Sequence, residues 1–229
     1  MRATPEHPRR PAAVAFDVNE TLFGLGPVGE RMAARGMPGG SLDLWFARTL
    51  RNGFALAASG TYRPFREVAA ATLRGLLLDR DDVEEVSDDV LGAFAELEPH
   101  PDVASALQRL ADAGIPAVTL TVGASAISEG LLERHGLRDL VRECLSSDDV
   151  EVWKPLAAPY EHAARTLGVP ADRLALVAVH AWDIHGARRA GLVTGWSSRL
   201  EGTFPEVFDP PDVTGPDLVT VIDGLLALD

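Results

Sequence analysis

The stretch Val14-Ala-Phe-Asp17-Val-Asn19-Glu-Thr21-Leu22 decides the fold and offers a reactive group in the same few residues. Ala12 to Phe16 is a run of small and apolar side chains, too short for a helix and followed by a turn, so it reads as a buried strand. The run ends on Asp17 and breaks into a polar turn that carries Thr21. Open α/β sheets bind ligands in the crevice outside the carboxyl ends of their strands, so a strand ending on a carboxylate presents it to substrate. Asp17 is therefore the candidate nucleophile. Two positions later stands Asn19, an amide and not a second acid.

Outward from this strand the pattern changes twice. Between Leu25 and Glu98, apolar residues recur at three- and four-residue spacing in Leu42 to Ala58, Arg66 to Leu78 and Val83 to Leu97, with breaks at Gly39, Gly60 and Pro64. Beyond Pro99-His100-Pro101 helices and strands alternate. Helices are expected over Asp102 to Ala113, Ser125 to His135, Leu156 to Leu167, Gly186 to Ala190 and Leu218 to Leu228. Strands are expected over Pro116 to Thr121, Leu140 to Leu145, Leu174 to Val179 and Leu192 to Trp196. Alternation of this kind predicts an α/β fold: a Rossmann-like parallel-sheet core with an inserted all-helical cap. The core comprises residues 1–24 plus 99–229, and the cap residues 25–98.

Composition narrows the function. The chain has 229 residues, 46% hydrophobic and 24% charged, enough for a sizeable core. Its formal charge of −13 opposes binding to nucleic acid or anionic membranes, which need clustered Lys and Arg. Cys144 is the only cysteine, so neither an intramolecular disulfide nor a thiolate zinc site can form. Asp183 and His185 lack a third well-spaced metal ligand, and no metal or cofactor is expected. Met1 to Arg10 has no apolar leader, and no stretch reaches the roughly 18 apolar residues of a membrane span. A soluble, cytoplasmic protein acting on a small molecule is the expectation.

Asp17, Thr21, Thr121, Lys154 and Asp183 all fall at or after the carboxyl ends of expected strands, and a parallel sheet gathers such positions on one rim. A nearby ammonium such as Lys154 keeps a carboxylate nucleophile ionised. Thr21 and Thr121 can donate hydrogen bonds to it or to a bound anion, and Asp183 can hold Lys154 or help activate water. Taken singly, each also has an ordinary reading as a helix cap or turn residue.

These positions, with Gly123, Val152-Trp153-Lys154-Pro155, Tyr160 and Ala181-Trp182-Asp183 before Gly186-Ala187-Arg188, resemble the four ordered motifs of the haloacid dehalogenase superfamily. The segment from Leu44-Trp45 through Tyr62 and Phe65 is similar to the type II, or L-2-haloacid, dehalogenases. The resemblance implies that Asp17 displaces halide from a short 2-haloacid and forms an ester that water hydrolyses. It implies that Thr121 and Lys154 hold the substrate carboxylate and the nucleophile, while Tyr160 and Asp183 support Lys154 and the water. Asn19, Phe46, Phe65, His180 and Trp182 then line the substrate site, and a homodimer is possible.

Phosphatases of the superfamily need an acid where Asn19 stands, and a further metal-binding carboxylate absent from Val177-Ala178-Val179-His180. Their chemistry is therefore a third choice here. The dehalogenase match also departs from pattern. Phe46 replaces the halide-binding arginine, Val122 an asparagine, and Ala178 and His180 a serine and an asparagine. Arg48 or Arg63 can rebuild the halide site or be solvated surface charges. His180 can serve as a general base or as a hydrogen-bonded strand-end residue. A binding-only relative is the alternative from another functional class.

Overall fold

The computed structural model describes residues 8–77 and 80–229. The expected helix end at Leu78 and most of the Met1 to Arg10 start lie outside the described residues. The first strand, β1 (Ala13–Phe16), is buried along its whole length. Its side chains alternate between two cores, as the twofold period of a strand requires. Val14 and Phe16 pack with Val177 and Leu107, whereas Ala13 and Ala15 face Leu176 and Tyr160. Burial on both faces explains why the run is apolar throughout, as in strands of parallel sheets.

After β1 the chain forms β2 (Phe23–Gly24), four helices, and β3 (Glu98–Pro99), which pairs antiparallel with β2. This two-stranded stem carries the chain out of the sheet and back. The helices between are α1 (Gly26–Ala34), α2 (Ser41–Ala58), α3 (Phe65–Leu76) and α4 (Val83–Gly92), followed by a 3-10 turn at Ala93–Glu96. Then come α5 (Val103–Asp112), β4 (Ala117–Thr121), α6 (Ser125–Arg134), β5 (Glu143–Ser146), α7 (Ala157–Leu167) and β6 (Leu174–Ala178). The chain closes with α8 (Ala181–Arg189), β7 (Val193–Ser197), β8 (Val213–Gly215) and α9 (Leu218–Leu226).

Six strands form one parallel sheet in the order β5-β4-β1-β6-β7-β8. From β1 the chain steps outward to β4 and β5, then returns to the other side of β1 for β6, β7 and β8. The topological switch therefore lies beside β1. Asp17, the residue after β1, stands at the crevice that such a switch opens.

Several boundaries differ from the sequence expectation for physical reasons. Helix α8 begins at Ala181, five residues before the expected start, so Gly186 lies inside the helix and does not open it. A Cβ at Gly186 would come within 2.5 Å of Pro155 Cβ and 2.7 Å of the Tyr160 hydroxyl, so this glycine serves close packing. Helix α1 opens the segment expected to be helical from Leu25, although no apolar spacing singled it out; Pro27 sits in its first turn, where proline is tolerated. The three-residue β8 lies among Pro210, Pro211 and Pro216 at the sheet edge, where its weak signal is easily lost. Residues 138–140 form a 3-10 turn, so β5 starts at Glu143.

Candidate active site

Lys154 is the centre of the site. It leaves the loop after β5, is fully buried, and places Nζ 2.9 Å from Asp17 Oδ1 and 2.6 Å from Asp183 Oδ2. Its third hydrogen goes to the Leu120 carbonyl at 2.9 Å, so all three ammonium donors are used. A buried charge without such partners would be strongly unfavourable. Asp183 in turn accepts from the Tyr160 hydroxyl at 2.5 Å. The second Asp17 oxygen, Oδ2, accepts from Thr21 Oγ1 at 2.8 Å. Thr21 Oγ1 itself accepts from the Val179 amide at 3.2 Å, which directs the hydroxyl hydrogen toward Asp17.

The electrostatics follow from this packing. Burial pushes the Asp17 carboxyl up, but Lys154, His180 and the hydrogen bonds from Lys154 and Thr21 outweigh it, so Asp17 lies below the usual carboxylate range. Burial pushes Lys154 down, and the two carboxylates more than reverse this, so the ammonium is held above its usual value. Asp183 is raised by burial and by Asp17, against the pull of Lys154. Burial, then Asp183, drive the Tyr160 phenol well above its ordinary value. The result is an ionised nucleophile with both oxygens oriented.

His180 lies beside it, buried, with Nε2 3.3 Å from the Asn19 carbonyl, 3.5 Å from Glu20 Oε2 and 3.9 Å from Asp17 Oδ2. A nitrogen facing three oxygens carries the hydrogen, so the geometry makes Nε2 a donor and not a base toward Asp17. The ring stacks on Trp182, with centroids 5.4 Å apart and planes at 22°, and lies 6.2 Å from Phe46. Trp182 continues against Phe54 at 5.0 Å, and Lys154 Nζ is 5.8 Å from its ring centroid. The Trp182 indole nitrogen is buried without a hydrogen-bond partner among the described residues. Phe46 lies 6.5 Å from Phe65, completing an aromatic wall.

The structure thus joins Asp17, Thr21, Lys154, Tyr160 and Asp183 in one hydrogen-bonded cluster and sets His180, Trp182, Phe46 and Phe65 along its edge. Thr121 ends the strand beside β1 without a hydrogen bond to Asp17; its hydroxyl accepts from the Gly123 amide at 3.0 Å, and the residue lines a neighbouring pocket. Asn19 lines the same pocket and meets His180 through its backbone. Arg63 points outward, 62% exposed and 3.9 Å from Glu67, and Arg48 is partly buried on α2. Neither is among the residues around Asp17. His185 accepts from the Asp209 amide at 3.2 Å, an ordinary structural role.

Two groups escaped the sequence reading. Glu20 approaches His180, and burial raises its carboxyl above the ordinary value, against the lowering effect of His180. Its backbone adopts φ 63°, an uncommon conformation for a residue with a side chain, and that turn was the only signal available. Trp153 was read only as part of the Lys154 motif. Its indole donates to the Arg63 carbonyl at 2.7 Å and its ring lies against Gly53 of α2, which ties the Lys154 loop to the helical segment.

Known proteins resemble the chain over most of its length. The chain is 28% identical over 221 residues to (S)-2-haloacid dehalogenase H-109 of Pseudomonas putida, covering 93% of this chain and 97% of that protein. It is 29% identical over 219 residues to an (S)-2-haloacid dehalogenase of Pseudomonas sp. strain YL, covering 92% of each. The solved L-2-haloacid dehalogenase of Xanthobacter autotrophicus superposes with a TM-score of 0.81 at 26% identity, over 96% of this chain and all of that one. The sequence model of one hydrolase family matches residues 11–191, from the strand before Asp17 past the helix that bears Asp183. The chain therefore belongs to the haloacid dehalogenase-like hydrolases.

Proposed function

We propose that the chain hydrolyses the carbon–halogen bond of a 2-haloacid through an ester on Asp17. The observation that carries this reading is the state of Asp17: ionised by Lys154, held by Thr21, and without an acid at position 19 to protonate a leaving oxygen. An Asp17 oxygen attacks C2, and the halide departs with the carbon–halogen electron pair. Water then attacks the Asp17 carboxyl carbon. Its oxygen stays in the regenerated carboxylate, one proton goes to the 2-hydroxyacid, and the other is released. Splitting one displacement into two steps lowers each barrier.

Lys154 holds the nucleophile, while Asp183 and Tyr160 hold Lys154. The Thr121 hydroxyl receives the substrate carboxylate, and Asn19, Phe46, Phe65, His180 and Trp182 enclose the reacting carbon. Residues 25–98 act as a cap over a core made of 1–24 plus 99–229, excluding water from the first step. The same reading makes the chain a cytoplasmic homodimer, which light scattering on the purified protein checks.

Halide release from L-2-chloropropionate is the expected activity, and Asp17→Asn should abolish it. A single turnover in oxygen-18 water should place label in the Asp17 carboxyl. A second reading, a binding-only relative, is favoured by Phe46, Val122 and Ala178, which remove polar groups from the halide side. An unlabelled Asp17 after prolonged incubation with haloacid would select it.

A further inference from the structure

The aromatic wall does not end at Asp17. From His180 it runs through Phe46 and Phe65 to Phe94, whose ring is 5.6 Å from that of Phe65. Beyond Phe65 opens a pocket of about 190 Å³. Its apolar walls include Val18, Phe65, Leu91, Phe94 and Ile127, from the turn after β1, the helical segment and α6, and Arg66, Ser128 and Asp148 also line it. At the end nearest the nucleophile it is lined by Asn19, Thr121 and Gly123. Asp17, Lys154 and His180 are not part of its lining, so this space extends the substrate site away from the nucleophile.

We propose that this pocket receives the side chain of the substrate, and that the preferred substrate is a 2-haloacid bearing a ring or a branched chain of comparable bulk. The proposal rests on the dehalogenase reading above and extends it to a substrate class. An apolar cavity of roughly 150 Å³ lined by Leu, Ile and Phe accommodates a benzene ring. The present pocket is larger, and its surface is mainly apolar. A methyl group, the side chain of 2-chloropropionate, would leave most of it without contacts, forfeiting dispersion and burial that a phenyl group would gain. The Thr121 hydroxyl gives the carboxylate a polar end, so the acid is oriented with its apolar arm pointing away from Lys154.

The test compares halide release from 2-chloropropionate and 2-chloro-3-phenylpropionate by the wild-type protein and by Ile127→Trp. Ile127 is 38% exposed on α6, so an indole there narrows the pocket without a hole in the core. The phenyl acid should have the higher kcat/KM by roughly tenfold or more, and Ile127→Trp should cut that ratio by a similar factor. Calorimetry with two unhalogenated probes, 3-phenylpropionate and propionate, reads the pocket without the chemistry. Preference for 2-chloropropionate, unchanged by Ile127→Trp, would overturn the substrate class and leave dehalogenation standing. Tight 3-phenylpropionate binding weakened by Ile127→Trp, with no halide from either acid, would uphold the pocket and overturn dehalogenation. Equal binding of the two probes would overturn the pocket assignment.

Discussion

At the scale of single residues, Lys154 is the group on which the others depend. Replacing it with methionine leaves Asp17 and Asp183 facing each other in a buried space. Removing one partner of a buried ion pair costs about 3–5 kcal/mol, so urea unfolding of Lys154→Met should show a loss of that order together with loss of activity. The pH dependence has a definite sign. Asp17 is depressed on folding, so its contribution to stability is complete above the ordinary carboxylate pKa and is lost as pH falls through the folded value. Lys154 is raised, so its contribution is complete below the ordinary ammonium pKa and is lost as pH rises through the folded value. Lys154→Met should move the acid limb of the stability curve upward. His180 supplies a second expectation. A hydrogen bond to a backbone carbonyl contributes about 0.5–1.5 kcal/mol, so His180→Leu, which loses the Asn19 contact, should lower kcat/KM roughly threefold to tenfold, whereas His180→Gln, which keeps a donor, should lose less. Asp17, Lys154 and Asp183 were legible in the sequence because strand ends in a parallel sheet share a rim. Glu20 was not, because its approach to His180 depends on a backbone twist that no residue type announces.

At the scale of elements, two glycines decide how closely helices approach the Lys154 loop. A Cβ at Gly53 of α2 would lie 2.2 Å from the Trp153 ring, and one at Gly186 of α8 would meet Pro155 and the Tyr160 hydroxyl. Overpacking of this kind costs about 1–3 kcal/mol. Gly53→Ala and Gly186→Ala should each lower the unfolding midpoint in urea by a corresponding amount. Gly186→Ala should also reduce kcat, because it displaces the phenol that holds Asp183. The helices α2, α3 and α4 were readable from apolar spacing alone, and the central strands from their unbroken apolar runs. What sequence could not separate was a glycine that ends a helix from one that lets another element lie against it, and so the start of α8 was placed late. The edge strand β8, with few residues and prolines around it, had no periodicity to read.

At the scale of the whole molecule, the helical segment is joined to the sheet by the β2–β3 stem, by Arg134 and His135 against the Ala95 and Leu97 carbonyls, and by two side-chain ties at the Lys154 loop. Tyr62 donates to Asp148, and Trp153 donates to the Arg63 carbonyl. The double variant Tyr62→Phe, Trp153→Phe should speed amide hydrogen exchange in α2 and α3 and leave β1 and β6 protected, since those strands are held by the sheet. If all regions loosened together, the two parts would be one cooperative unit. The separation of partners along the chain has a further consequence. Lys154 is 137 residues from Asp17, and Val179, which fixes the Thr21 hydroxyl, is 158 residues from that threonine. On the ribosome, β1 therefore emerges carrying an acid whose counterion has not yet been made. Translation must pass Lys154 before Asp17 can be desolvated at tolerable cost. The N-terminal strand is expected to remain undocked in nascent chains arrested before that codon, however favourable its apolar side chains are.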